Sequence, residues 1–365
     1  SILEQLVAFL ACQGTGAVPL IVPNDTTVPD AFFEIKIPDE ACMAVMTSGT
    51  TGSGKLLFRT FESWYGYFET QNRIFGISGE SRLFAQGSLA FTGNLNLYMG
   101  QLAAGGTLIA EDVFLPGKWE QVMARERANG IYLIPSKLLM LPRVFKGVNA
   151  NIRTIISGSQ SLGRKDAEVL KKIFPNTEIT LYYGASELNY ITYVKSADMT
   201  EERNLIGKPF PGVRVFIQDD EMYVDNAFHV ENITVPYSLK DSGRMDLQGN
   251  FYFLGRTDDI VGVRGRKVSM MKIENALEEV AGITEAAVVL LPKEKDADMP
   301  AEIVSAFVTV EGTDVPENLR QQLKEKLADF EIPKRVIVLE AFPKNTSGKV
   351  DKARLKKMWI EQEPQ

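Results

Sequence analysis

An α/β fold, built as a large N-terminal domain with mixed and parallel sheet followed by a small α+β C-terminal domain, is what this chain predicts. Three observations carry that expectation. The 365 residues exceed what one compact core usually organises, which points to two domains. Short apolar runs alternate with helical stretches through the first two thirds. In the last third that alternation gives way to two strands, a charged helix and a further strand.

In chain order, "SILEQLVAFLACQGTG" lacks the basic start of a signal peptide and reads as an amphipathic helix. "ACMAVM", "GTLIAE" and "GIYLIP" read as buried strands. "NIRTIISG", "SLGRKDAEVLKKIF" and "TEITLYYG" form a strand, a helix and a strand, which is a βαβ unit with parallel strands. After "GNFYFLGRTDD" come a basic segment "VGVRGRKVS", a helix "MMKIENALEEV", strands "EAAVVLL" and "EIVSAFVTV", a charged helix over 316–329, and a strand "RVIVLE". Thr257 to Asp259 form the expected boundary, giving domains 1–256 and 257–365.

Composition closes several routes. Apolar residues make up 45% and charged residues 24%, the balance of a globular protein, and no run of 18 or more apolar residues suggests a membrane span. A net charge of −7 argues against nucleic acid as a partner. Two cysteines, Cys12 and Cys42, are too few for a disulfide framework or a zinc site, so a cytoplasmic setting is expected. His229 is the single histidine, and without a GxSxG elbow it reads as structural.

"TSGTTGSGK" (47–55) has the glycine, hydroxyl and lysine content of a phosphate-holding loop. Gly49, Gly54 and Lys55 fit GxxxxGK, but Leu56 stands where a P-loop needs a magnesium-binding hydroxyl, and "KLLFR" reads as extended rather than helical. Two other small-residue turns end predicted parallel strands: "SGSQSL" (157–162) and "YYGASE" (182–187). Ligands of parallel α/β sheets sit at such carboxyl ends. There Tyr183 offers a face for a flat base, and Glu187 a hard oxygen for magnesium.

These stretches, taken in order, resemble the adenylate-forming superfamily of acyl-CoA synthetases, peptide-synthetase adenylation domains and luciferases. "LACQGTGAVPLIVPND" is similar to the segment before its phosphate loop, and "TSGTTGSGK" to the loop itself. "IRTIISGSQSL" and "YYGASE" resemble its adenine turn and YGxTE motif, and "LIGKPFPGVRVFI" the segment that follows. "KDSGRMDLQGNFYFLGRTDDIVGVRGRKVSMMKIENAL" resembles the block leading into its mobile small domain, and "FPKNTSGKVDKARL" its C-terminal lysine motif.

The resemblance implies an ATP-dependent carboxylic acid–thiol ligase that makes an acyl-adenylate and then a thioester. It implies ATP and Mg2+, with coenzyme A or a carrier protein's phosphopantetheine as acceptor, and a small carboxylic acid as substrate. Lys349 matches the adenylation lysine, and Glu187 the catalytic metal ligand. Nucleotide binding falls to Thr47, Ser48, Gly49, Thr50, Thr51, Gly52, Lys55, Gly158, Ser159, Gln160, Tyr182, Tyr183, Gly184, Ser186, Asp241 and Arg256. Asp258 matches the hinge about which the small domain turns, while Gly265 and Arg264 match the thiol-donor side. Phe91 and Thr92 fall in the acyl pocket.

The pattern also departs from the family. Gly54 and Leu56 flank Lys55 where proline and glycine are usual, and Ser186 replaces threonine. Thr92 stands where amino-acid-loading domains carry an aspartate, which disfavours α-amino acids because a buried ammonium needs a counter-charge. Only 46 residues precede the phosphate loop, shorter than the family's usual N-terminal stretch. That length raises a competing expectation, a partner-dependent or non-catalytic nucleotide-binding subunit. A homo-oligomer is left open.

Overall fold

The computed structural model of the protein describes residues 1–22, 28–47, 55–257, 260–263, 266–293, 302–344 and 350–361. The chain folds as two compact units. The first comprises Ser1–Gln218, Met222–Leu239 and Met245–Tyr252. The second comprises Asp219–Glu221, Lys240–Arg244 and Phe253–Gln365.

In the first unit the expected N-terminal helix spans Ile2–Gly14, with Ser1 and Glu4 forming a capping box. A small sheet follows from β1 (Leu20–Ile21), β2 (Ala41–Thr47) and β3 (Lys55–Thr60), with β2 and β3 antiparallel. Lys55 therefore opens a strand. The next helix starts only at Phe61, where the Thr60 hydroxyl accepts from the Ser63 N–H at 3.0 Å. This is the reverse of a P-loop, whose lysine begins a helix.

The large sheet takes its parallel strands from β4 (Arg82–Gln86), β5 (Thr107–Glu111), β6 (Gly130–Tyr132), β7 (Thr154–Gly158) and β8 (Glu178–Ala185). β9 (Asn189–Lys195) and β10 (Leu205–Pro209) then run antiparallel. The remaining strands are β11 (Val213–Gln218), β12 (Glu221–Asn226), β13 (Tyr237–Met245) and β14 (Phe251–Arg256). The order is β5-β4-β6-β7-β8-β9-β10-β14-β13-β12-β11.

Both faces of the parallel strands are covered, which is why "TIISG" is buried at every residue from Ile155 to Gly158 rather than at alternate ones. Successive residues feed opposite cores: Ile156 and Tyr182 join one with Trp64, Phe75 and Tyr190, while Ile155 and Leu181 join another with Trp119, Leu170 and Phe174. The helix between β7 and β8 spans Arg164–Ile173, where the Asp166 carboxylate accepts the Gly163 N–H at 2.9 Å.

Within the second unit, β15 (Ile260–Val263) and β16 (Arg266–Ser269) form a hairpin. Ser269 caps the helix Met270–Glu278. Ile273 and Leu277 of that helix pack on Val288, Val304, Ala306 and Val308 from β17 (Ile283–Pro292) and β18 (Glu302–Val310). β19 (Arg335–Val338) adds a parallel strand to β18. The charged stretch expected to be helical over 316–329 is helical only over Leu319–Lys324. Leu319, Leu323 and Leu327 all face the core, and past the helix the Leu327 N–H still reaches the Leu323 carbonyl at 2.8 Å. Among the described residues, no helix is long and apolar enough to cross a membrane.

Candidate active site

The carboxyl ends of the parallel strands in the first unit are tied to one another by side chains. β4 ends at Gln86, whose side-chain carbonyl accepts from the Lys137 ammonium at 2.5 Å, in the turn after β6. Burial lowers the pKa of that lysine. Beside it the Ser136 N–H donates to the Gln160 side chain at 2.9 Å, which joins the turns after β6 and β7. Thr92, in the first turn of the helix Thr92–Ala103, lies 2.9 Å from Ser186, hydroxyl to hydroxyl, in the turn after β8. The expected acyl-pocket segment and the YYGASE turn therefore meet directly.

Two glycines allow the close approach of backbone that these turns need. A Cβ on Gly158 would lie 2.6 Å from the Tyr182 ring, and one on Gly184 would lie 2.5 Å from the Asn189 carbonyl oxygen. Ser159 follows with φ +70°, a left-handed conformation costly for a non-glycine residue and often found where a ligand is held. Tyr182 itself is in the core: its hydroxyl lies 3.0 Å from that of Tyr132, and burial pushes its pKa up to about 12. Only its backbone, with Tyr183, Gly184 and Gln160, borders the turns. Tyr183 is half-buried against the aromatic core. Phe91, half-buried, packs its ring against the position of Gly93.

Lys55 and Glu187 line one open cleft of about 400 Å³. Leu57, Asn232, Ile233, Thr234 and Tyr237 complete its walls. The 228–237 segment was not singled out by the sequence. It reaches the cleft through long-range bonds: the Glu231 N–H to the Phe58 carbonyl at 2.9 Å and the Asn232 amide to the Leu56 carbonyl at 3.0 Å. Glu187 is held in turn by its own carbonyl, which accepts the Val230 N–H at 2.9 Å. His229 turns its Nδ1 to the carbonyl of Val230, 2.7 Å away.

Thr47 ends β2 opposite Lys55. Ser48, Gly49, Thr50, Thr51, Gly52, Asp258, Arg264, Gly265 and Lys349 lie outside the described residues. In the second unit, Asp241 is 7% exposed and its carboxylate lies 3.6 Å from Arg256 Nε. Lys240 beside it has φ +62°, which turns β13 locally. Lys344 and Val350 pair antiparallel on either side of the 345–349 segment that carries Lys349.

Among the described residues no group of three or more His, Cys, Asp or Glu side chains could cage a metal. A lone carboxylate such as Glu187 fits magnesium, which keeps most of its ligands as water and phosphate oxygen, better than calcium or zinc.

Against this geometry, the family comparisons are informative. The AMP-binding enzyme model matches residues 25–227, and the AMP-binding enzyme C-terminal domain model matches residues 272–349. The chain belongs to the AMP-binding enzyme family. An uncharacterized acyl–CoA ligase of Bacillus subtilis, YhfT, is 26% identical over 424 aligned positions, covering 99% of this chain and 86% of that protein. A 2-succinylbenzoate–CoA ligase of Listeria monocytogenes is 25% identical over 342 positions, covering 89% of this chain and 72% of that one. Among solved structures, ATP-bound MatB from Rhodopseudomonas palustris superposes with a TM-score of 0.76 at 23% identity. That superposition covers 89% of this chain and 69% of MatB, and it shows the shared fold.

Proposed function

We propose that this AMP-binding enzyme is an ATP-dependent carboxylic acid–thiol ligase, an acyl- or aryl-CoA synthetase that forms an acyl-adenylate and then a thioester. The observation that carries the reading is the placement of Lys55 and Glu187 in one cleft beside the Ser186 turn. Its curated relatives support the class, since two are named acyl–CoA and 2-succinylbenzoate–CoA ligases.

A carboxylate is a poor acylating agent because its leaving group would be hydroxide; joining it to AMP supplies a better one. The attack brings an anion onto the already negative α-phosphate of ATP, so donors and cations must offset the charge that gathers there. Lys55 meets the β- and γ-phosphates, with Thr47, Ser48, Gly49, Thr50, Thr51 and Gly52 supplying further donors. The Ser186 hydroxyl donates to phosphate, and Glu187 holds the magnesium ion, which when bound neutralises phosphate charge. Asp241 accepts from the ribose hydroxyls beside Arg256, and the turn of Gly158, Ser159, Gln160 and Tyr183 takes the base. Lys349 bridges the acid's carboxylate and the α-phosphate. Residues 257–365 act as a lid that turns at Asp258 to bring Arg264 and Gly265 to the thiol donor.

A reducing, cytoplasmic setting belongs to the same reading and is supported by the free thiols Cys12 and Cys42. Thr92, engaged with Ser186, offers no carboxylate to an ammonium group, which favours acids other than α-amino acids. ATP–pyrophosphate exchange across a panel of carboxylic acids, followed by addition of coenzyme A to the active ones, tests the proposal. Acid-dependent exchange and a CoA thioester are expected. ATP binding with no exchange for any acid would refute it, and adenylation without thioester formation would move the acceptor to a carrier protein.

A further inference from the structure

Arg59 lies in β3, four residues past Lys55, and is completely buried. Among the described residues its hydrogen bonds all run to backbone carbonyls: Nη2 donates to Ser186 at 2.8 Å, and Nη1 donates to Phe228 at 2.8 Å and to Ser63 at 3.3 Å. Its Nε is buried without a partner among the described residues. Burial pulls its pKa down to about 10, and the charge of Glu187 works in the opposite direction, so the group is still a cation at neutral pH.

A buried guanidinium whose hydrogen bonds, among the described residues, meet only neutral carbonyls is a costly way to fill a core, since taking charge out of water is strongly disfavoured and the Glu187 charge offsets it only in part. Its position explains the expense. The Ser186 carbonyl belongs to the peptide that enters Glu187, and the Phe228 carbonyl lies two residues before the Val230 N–H that holds the Glu187 carbonyl. One guanidinium thus fixes the peptide entering Glu187 and the segment that fixes the peptide leaving it. A planar fork of donors can do this; the point charge of a lysine cannot.

We propose that Arg59 is the positioning residue for Glu187: it sets the direction of that carboxylate toward the metal of the bound nucleotide. The inference rests on the reading of Glu187 as a magnesium ligand. Groups that orient a metal ligand typically alter metal affinity by about 10–100-fold when changed.

The test uses the full chain. Mn2+ binding in the presence of ATP is followed by electron paramagnetic resonance, and the Mg2+ dependence of pyrophosphate exchange is measured alongside, for wild type, Arg59→Lys, Glu187→Gln and the double variant. Arg59→Lys is expected to weaken Mn2+ binding and raise the Mg2+ half-saturation by about tenfold. ATP binding without metal should stay unchanged, and Arg59→Lys should add nothing in the Glu187→Gln background. Wild-type metal affinity in a folded Arg59→Lys protein, or additive effects in the double variant, would overturn the positioning role. If Arg59→Lys does not fold, Arg59→Ala prepared in guanidinium replaces it: Mn2+ affinity that rises with guanidinium supports the role, and affinity indifferent to it overturns the role. A wild type that binds no Mn2+ with ATP would instead overturn the reading of Glu187, and the inference with it.

Discussion

The two units hold their candidate residues by different means. In the first, the turns that carry Ser186 and Glu187 rest on an aromatic core in which Phe75 lies 5.7 Å from Tyr182, 5.3 Å from Tyr190 and 5.9 Å from Phe210. In the second, the core under the helix Met270–Glu278 is aliphatic, built from Ile273, Leu277, Val288, Val304 and Ala306, and a separate cluster holds only Phe307 and Phe342 as buried aromatic residues. Charged pairs fasten its edges: Lys272 meets the buried Glu331 at 2.6 Å and Lys352 meets Glu274 at 2.7 Å. Aromatic rings fix geometry with few rotatable bonds, which suits a rigid phosphate platform. A small, mainly aliphatic body edged by ion pairs suits the lid proposed above.

Four outcomes test that contrast. The largest concerns the lysine proposed for adenylation, in the second unit. Lys349→Ala is expected to slow acyl-adenylate formation by at least about 10³-fold, or about 4 kcal/mol, while thioester synthesis from supplied acyl-AMP persists. Normal exchange by this variant would overturn the role proposed for Lys349. Next, Phe75→Ala should destabilise the first unit by about 3 kcal/mol. Calorimetry should show one transition shifted and the other unmoved; a shift of both would contradict two separate cores. Smaller still, Asp241→Asn should raise the KM for ATP about tenfold with kcat nearly unchanged, because the proposed ribose contact would be uniform binding. A fall in kcat at constant KM would place Asp241 in the chemistry. The smallest change, Ile273→Val, should cost the second unit about 1 kcal/mol, seen as a lower midpoint for the other calorimetric transition.

Much of this could be read from the sequence because the signals were local. The βαβ unit around "TIISG" and "TLYYG" is written in adjacent residues, and so are the small-residue turns at the ends of β7 and β8. Lys55 opening a strand was legible from "KLLFR" for the same reason. Arg59 was invisible. Within that strand pattern an arginine reads as facing solvent, and its partners Ser186 and Phe228 lie 127 and 169 residues away. The 228–237 wall of the cleft escaped likewise, since its bonds reach back to β3 across nearly half the chain. The shortened helix Leu319–Lys324 shows the opposite failure. Its charged residues favour helix throughout, yet past Lys324 the chain runs on in turns even though Leu327 stays packed in the core.

The hydrogen bond between Thr92 and Ser186 has a consequence of its own. Each hydroxyl has a single hydrogen to give. While Ser186 donates to Thr92, it has none for a phosphate; once it turns to a phosphate, Thr92 must become the donor and Ser186 the acceptor. On the proposed reading the pair therefore has a direction that an arriving nucleotide would select, and Thr92, at the proposed acid pocket, would be drawn into alignment when ATP binds. Such a relay of polarised hydroxyls would let an enzyme register its nucleotide at the place where the acid is to sit, before any chemistry begins.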